Sequence, residues 1–256
     1  MAKRTIHVAV LECDTPVDAV HKCYGSYGDM FDRLLRQGMD SAWPSPAEFE
    51  LVVSKWPVVD RQVYPSLQDV DAILLTGSKH NAFDNEPWIV GLTSYVRDAI
   101  TLHPPIPVVG ICFGHQIVAR ALGARVDRSA DGWEVAVNKI DLTEAGKELF
   151  GRDSLFLHQM HRDIVYGLPP GCANLGRSPQ CQIQGLYWPN KLLTVQGHPE
   201  FDEFAMGQIA ATRYEQRIFD EGLYGEAKCR TGLPHDGVLV GAAICRFLGI
   251  VCRTEE

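Results

Sequence analysis

Apolar residues gather first into short unbroken runs separated by helical spacing. Residues 6–11 (Ile-His-Val-Ala-Val-Leu) predict a buried first strand. Asp29 is placed to cap a helix whose apolar face is Phe31, Leu34 and Leu35. A second strand is expected over 49–53. Residues 54–70, with Pro57, Pro65 and polar breaks, read as a loop with at most short structure. A third strand at 72–75 precedes a helix over 87–100, with Pro87 in its first turn. Strand 107–111 and helix 114–122 follow. This alternation predicts an α/β fold: an open, mostly parallel sheet with helices on both faces.

The pattern then changes. Residues 133–140, 155–158, 172–177, 182–187 and 192–195 are short β-like segments with few helical stretches between them. They are expected to be added antiparallel strands and extensions of the main sheet. Two helices close the chain. One spans about 203–221, with Phe204, Ile209 and Ile218 among charges. The other spans 236–248, mostly apolar, behind a capping Asp236. No repeat, low-complexity tract or change of composition marks a boundary, so residues 1–256 are expected to form one domain.

Composition narrows the function classes. Hydrophobic residues at 46% and charged residues at 22% are ordinary for a globular protein. A net charge of −8 without any Lys/Arg run argues against a nucleic-acid partner. No apolar run approaches the ~20 residues of a membrane span. The apolar stretch after Lys3 and Arg4 meets Glu12 and Asp14 too soon for a signal peptide. Eight cysteines at irregular spacings, with no Cys-x-x-Cys pair, suggest reduced thiols in a cytoplasmic protein.

One of those cysteines has a setting of its own. In Val108-Val109-Gly110-Ile111-Cys112-Phe113-Gly114-His115-Gln116, an apolar run meets a Gly-x-Cys-x-Gly frame and then a helical pattern. A strand–elbow–helix holding a reactive thiol needs such glycines, because a Cβ would clash in the sharp turn. The helix N-terminus favours the thiolate. A buried structural cysteine in a βα turn is the alternative. A second strand-like run, 192–195, leads into Gln196-Gly197-His198-Pro199-Glu200. A thiol nucleophile needs a base, and the base an orienter. Residues two apart in extended chain point the same way, so Glu200 can reach the His198 ring. Both segments end predicted strands at the carboxyl edge, where open α/β sheets place their sites.

With Gly110–Gln116 and Gly197–Glu200 in view, the chain resembles the class I, triad-type glutamine amidotransferases. Over about residues 5–220 it looks most like their stand-alone members: fungal amidotransferase-like proteins and plant γ-glutamyl peptidases. Gly132-Trp133-Glu134 and His161-Arg162-Asp163 carry that narrower likeness. The resemblance implies a flavodoxin-like fold and a Cys112–His198–Glu200 triad. It also implies an oxyanion hole from the backbone N–H groups of Phe113 and Ser78, the latter in Leu74-Leu75-Thr76-Gly77-Ser78. The family usually has a second glycine where this chain has Ser78. Gln116 matches a residue that contacts the glutamyl group. Met160, His161 and Arg162 fall in the loop that meets the substrate's α-carboxylate, for which a guanidinium is well shaped.

The implied reaction is cleavage of a γ-glutamyl amide through a γ-glutamyl thioester, on glutamine or on a γ-glutamyl peptide such as a glutathione conjugate. It requires no cofactor and no metal. His158 and His161 are three apart, but no paired thiolates or His-Glu-x-x-His helix accompany them. The alternatives are a glutaminase subunit that supplies ammonia to a separate synthase, and a non-catalytic regulator. The intact Cys112, His198 and Glu200 set weighs against the regulator.

Overall fold

The computed structural model describes residues 4–42, 49–102 and 104–250. The first half runs β1 (Arg4–Glu12), α1 (Asp18–Tyr24), α2 (Tyr27–Ala42), β2 (Phe49–Pro57), α3 (Val58–Arg61), β3 (Ala72–Leu75), α4 (Pro87–Thr101), β4 (Val108–Ile111) and α5 (Phe113–Ala121). Next come β5 (Arg125–Arg128), β6 (Glu134–Leu142), α6 (Glu144–Phe150), β7 (Ser154–His161), β8 (Asp163–Tyr166), β9 (Ala173–Asn174) and β10 (Gly176–Arg177). The last part holds β11 (Gly185–Trp188), β12 (Leu192–Val195), α7 (Glu203–Glu215), α8 (Glu221–Arg230) and α9 (Gly237–Phe247).

Seven strands form the main sheet in the order β2-β1-β3-β4-β12-β11-β9. The first five are parallel, and β11 and β9 extend the sheet in antiparallel fashion. Successive residues of β1 serve opposite faces, as the strand period requires. Val8 and Val10 pack with Phe31, Leu35 and Ile244 of α2 and α9. Ala9 and Leu11 pack with Trp88, Ile89 and Ile117 of α4 and α5. The expected parallel sheet with helices on both faces is therefore present. The added antiparallel strands form a three-stranded sheet, β10-β6-β7, and a β5-β8 ribbon. The first of these carries α7 and α8 against Val135 and Ala136.

Several expectations are corrected. Residues 54–57 belong to β2, not to a loop. On this edge strand the polar residues are half-buried or exposed and find local partners: Ser54 Oγ lies 2.7 Å from His7 Nε2, and Lys55 pairs with Asp29 at 2.8 Å. The expected helix over 203–221 ends at Glu215; Arg217 takes a positive φ of 59°, and Asp220 starts α8 by accepting from the Leu223 N–H at 2.8 Å. Asp29 lies inside its helix rather than at its cap. Its carboxylate reaches back to the Ser26 N–H and hydroxyl at 2.9 and 3.0 Å, the acidic half of a capping box. Asp236 stands before α9, but its carboxylate accepts from the Phe156 N–H and pairs with Arg152, both at 2.8 Å.

Candidate active site

Cys112 joins β4 to α5 with φ 52° and ψ −104°. This is a sparsely populated positive-φ conformation that a side-chain-bearing residue holds at a cost of about 1–3 kcal/mol. The surroundings impose it. The Cys112 N–H donates to the Val195 carbonyl at 2.9 Å, and its carbonyl accepts from the Gln116 N–H at 3.1 Å. A Cβ on Gly110 would stand 2.7 Å from the Gly114 carbonyl carbon, and one on Gly114 2.6 Å from the Leu75 carbonyl oxygen. Strand β4, the elbow and the end of β3 can therefore approach this closely only with glycine at both positions.

His198 follows β12, the parallel neighbour of β4. Its N–H donates to the His158 carbonyl at 2.7 Å, tying the loop to β7. Its Nδ1 lies 2.8 Å from Glu200 Oε1, with both residues only 4% exposed. The ring stacks on Phe201 at 4.2 Å and 6°. Burial by itself pushes the imidazole toward neutrality. The Glu200 carboxylate and the Cys112 thiol outweigh this and raise its pKa to about 10. The protonated ring is the form that these neighbours favour. Glu200 Oε2 is buried without a hydrogen-bond partner among the described residues.

A cleft of about 440 Å³ opens over Cys112, and Ser78, Gln116, Met160, His161 and Arg162 share its walls. The structure thus gathers these sequence-selected residues around one thiol. His198, Glu200 and Phe113 are not on these walls. Phe113 opens α5, so its N–H is one of the unpaired first-turn donors of a helix. Glu200 borders a separate cavity of about 590 Å³ with Met30, Phe201 and His235. The Gln116 amide nitrogen donates to the Asp163 carbonyl at 2.8 Å and to Gln196 Oε1 at 3.1 Å. Both its protons are engaged, which leaves its carbonyl oxygen as the group available to a ligand.

A sequence model of the class-I glutamine amidotransferases matches residues 33–210. The chain belongs to this family. A glutamine amidotransferase-like protein of Schizosaccharomyces pombe is 37% identical over 246 residues, covering 94% of this chain and 98% of that one. γ-Glutamyl peptidase 2 of Arabidopsis thaliana is 27% identical over 236 residues, covering 89% of each chain. Among solved structures, a glutamine amidotransferase from Thermotoga maritima superposes with a TM-score of 0.69 at 19% identity, covering 95% of this chain and 98% of that one. This last likeness concerns the fold alone.

Other groups of this amidotransferase-family site were not legible as a set in the sequence. Lys79, Arg128 and Arg213 also line the cleft. Lys79 pairs with Asp14 at 2.8 Å and Arg128 with Asp163 at 3.2 Å. Glu134 and His161 form a second carboxylate–imidazole contact of 3.0 Å, with both side chains 3% exposed. Cys181 joins them, its ligand atom and theirs all within 4.8 Å of one another. Burial pushes the Cys181 thiol up to about 12, and its sulfur donates to the Ile183 carbonyl at 3.3 Å. A metal ligand must be a thiolate, so this setting suits a protonated, hydrogen-bonded thiol better. His115 and His158 are buried as well, and burial is the main force lowering both to about 3. They are neutral structural histidines. His115 Nδ1 meets Thr194 Oγ1 at 2.8 Å.

Proposed function

We propose that this chain is a cysteine hydrolase of γ-glutamyl amides, with Cys112 as nucleophile, His198 as base and acid, and Glu200 as orienter. One observation carries the reading: the strained Cys112 elbow and the buried His198–Glu200 couple end adjacent parallel strands. The Cys112 thiolate attacks the γ-carbonyl carbon. Negative charge gathers on the carbonyl oxygen, where the Phe113 and Ser78 N–H groups are the candidate donors. One such donor is worth about 3 kcal/mol in comparable sites. His198 gives its proton to the departing nitrogen, the C–N bond breaks, and a γ-glutamyl thioester remains. Water then attacks the thioester carbonyl, losing its proton to His198, and the thiolate leaves. Glu200 keeps the ring oriented and stabilises its charged form.

The reaction uses no cofactor, takes place within the single domain, and suits the reducing cytoplasm, where a free thiol persists. A second reading is a glutaminase that hands ammonia to a separate synthase. It is favoured by the amidotransferase-like naming of a relative at 37% identity, against peptidases at 25–29%. Purified protein assayed alone with glutamine, glutathione and a glutathione S-conjugate separates the two. Release of the amine from a peptide at tenfold higher kcat/KM than ammonia from glutamine supports the peptidase. The reverse order supports the ammonia supplier. Full turnover by Cys112→Ala or His198→Ala would refute both.

A further inference from the structure

Glu134 and His161 face each other across the β6–β7 ladder as its register pair. The Glu134 carboxylate has His161 Nε2 at 3.0 Å and accepts from the Gln184 amide at 2.8 Å. Burial opposes its ionisation, yet His161, Ser178 and Gln184 hold it below the usual carboxylate range. The other His161 nitrogen, Nδ1, lies 3.3 Å from the Asp163 carbonyl oxygen. That same oxygen accepts from Gln116. A carbonyl can only accept, so the ring donates to it through Nδ1 and turns Nε2 toward the Glu134 carboxylate. Both ring nitrogens face protein groups, although the ring lies on the wall of the Cys112 cleft. His161 is thus a bracket: one side is fixed in the buried sheet, the other grips the turn that carries Arg162. Arg162 lines the cleft, and its Nε is buried with no hydrogen-bond partner among the described residues.

We propose that Glu134 and His161 are a positioning pair that holds the 160–163 turn, Arg162 and Gln116 in the shape that receives the charged α-amino-acid end of the substrate. The pair acts on recognition and not on the thiol. This rests on the γ-glutamyl reading above, and the test keeps the two apart.

Two alkylating agents report the two functions. 6-Diazo-5-oxo-norleucine carries the α-carboxylate and α-ammonium of a glutamyl group; iodoacetamide carries neither. Rates of Cys112 labelling by each are compared for wild type, Glu134→Gln and the double variant Glu134→Gln/His161→Gln. The double variant replaces both members of the buried contact, so it leaves neither facing a missing partner. In both variants, labelling by the glutamyl analogue is expected to fall at least tenfold and iodoacetamide labelling to stay within twofold. The analogue rate of the double variant should match that of Glu134→Gln within twofold, because Glu134 acts through His161. For the substrates that are turned over, KM rises and kcat holds. Equal losses with both reagents, no loss with either, or unfolding of both variants would overturn the proposal. A wild-type protein with no preference for the glutamyl analogue and no γ-glutamyl turnover would instead overturn the functional reading beneath it.

Discussion

Gly77→Ala adds a single carbon beside the proposed base. No positive φ constrains Gly77, so alanine meets no backbone penalty there. Its ideal Cβ would stand 2.7 Å from His198 Cε1, 3.5 Å from Nδ1 and 3.8 Å from the Cys112 Cβ. Carbon atoms rest about 3.5–4.0 Å apart, so the ring must move by about 1 Å. Two restraints resist that movement: the 2.8 Å contact to Glu200 and the stack on Phe201. A misplacement of about 1 Å costs on the order of 10²-fold in rate, or about 2.7 kcal/mol of barrier. Overpacking costs about 1–3 kcal/mol of stability, which a folded domain can survive. The assay is kcat/KM on the best γ-glutamyl substrate, with melting temperature recorded alongside. Gly207→Ala is the control, since a Cβ there meets nothing within 4 Å. If Gly77→Ala retains kcat/KM within threefold of wild type, or Gly207→Ala loses as much, the reasoning about His198 is wrong.

Cys112→Gly should be inactive yet melt above Cys112→Ala, because glycine accepts φ 52° and ψ −104° without the strain of a side chain, worth about 1 kcal/mol or more; equal melting temperatures would show that the elbow stores no strain. Glu200→Gln should cut kcat at least tenfold with its fold intact, since the ring keeps a neighbour but loses the charge that favours imidazolium; unchanged kcat would remove Glu200 from the mechanism. Because the folded-state pKa of His198 is raised to about 10, the protonated ring adds stability that is complete below about pH 6.5. That contribution shrinks as pH rises and is gone above about 10. Urea midpoints between pH 6 and 10 should fall more steeply for wild type than for His198→Gln, and parallel slopes would contradict the assignment.

Strands β3 and β12 have the bounds their residues suggested, because each is a short apolar run, buried on both faces, with polar or glycine residues next to it. Such runs leave a clear mark. The second half of β2 does not, since an edge strand paired only with β1 can carry Ser54 and Lys55 outward. Helix α8 was hidden for a related reason. Only Ala227 of it is buried, so no apolar stripe betrays it. The candidate nucleophile and base stood out because an elbow needs local glycines. The Glu134–His161 contact had no such local mark. It depends on the register of two strands joined through α6, and spacing alone does not state a register. Arg213 enters the cleft from α7 on the same terms, brought there by packing alone.

The place of β12 in the sheet has a consequence in time. It lies between β4 and β11, so the strand that leads into Cys112 is flanked on that side only by a strand made much later. During synthesis, at on the order of 5–20 residues per second, the edge of β4 stays open for seconds. Throughout that interval the thiol has neither His198 beside it nor the Val195 carbonyl that fixes the elbow. A nascent or truncated chain ending before β12 therefore carries a cysteine without its candidate base and an unpaired apolar strand edge. The proposed reactivity of Cys112 would arrive only with the last strand, and protection of that strand edge arrives with it.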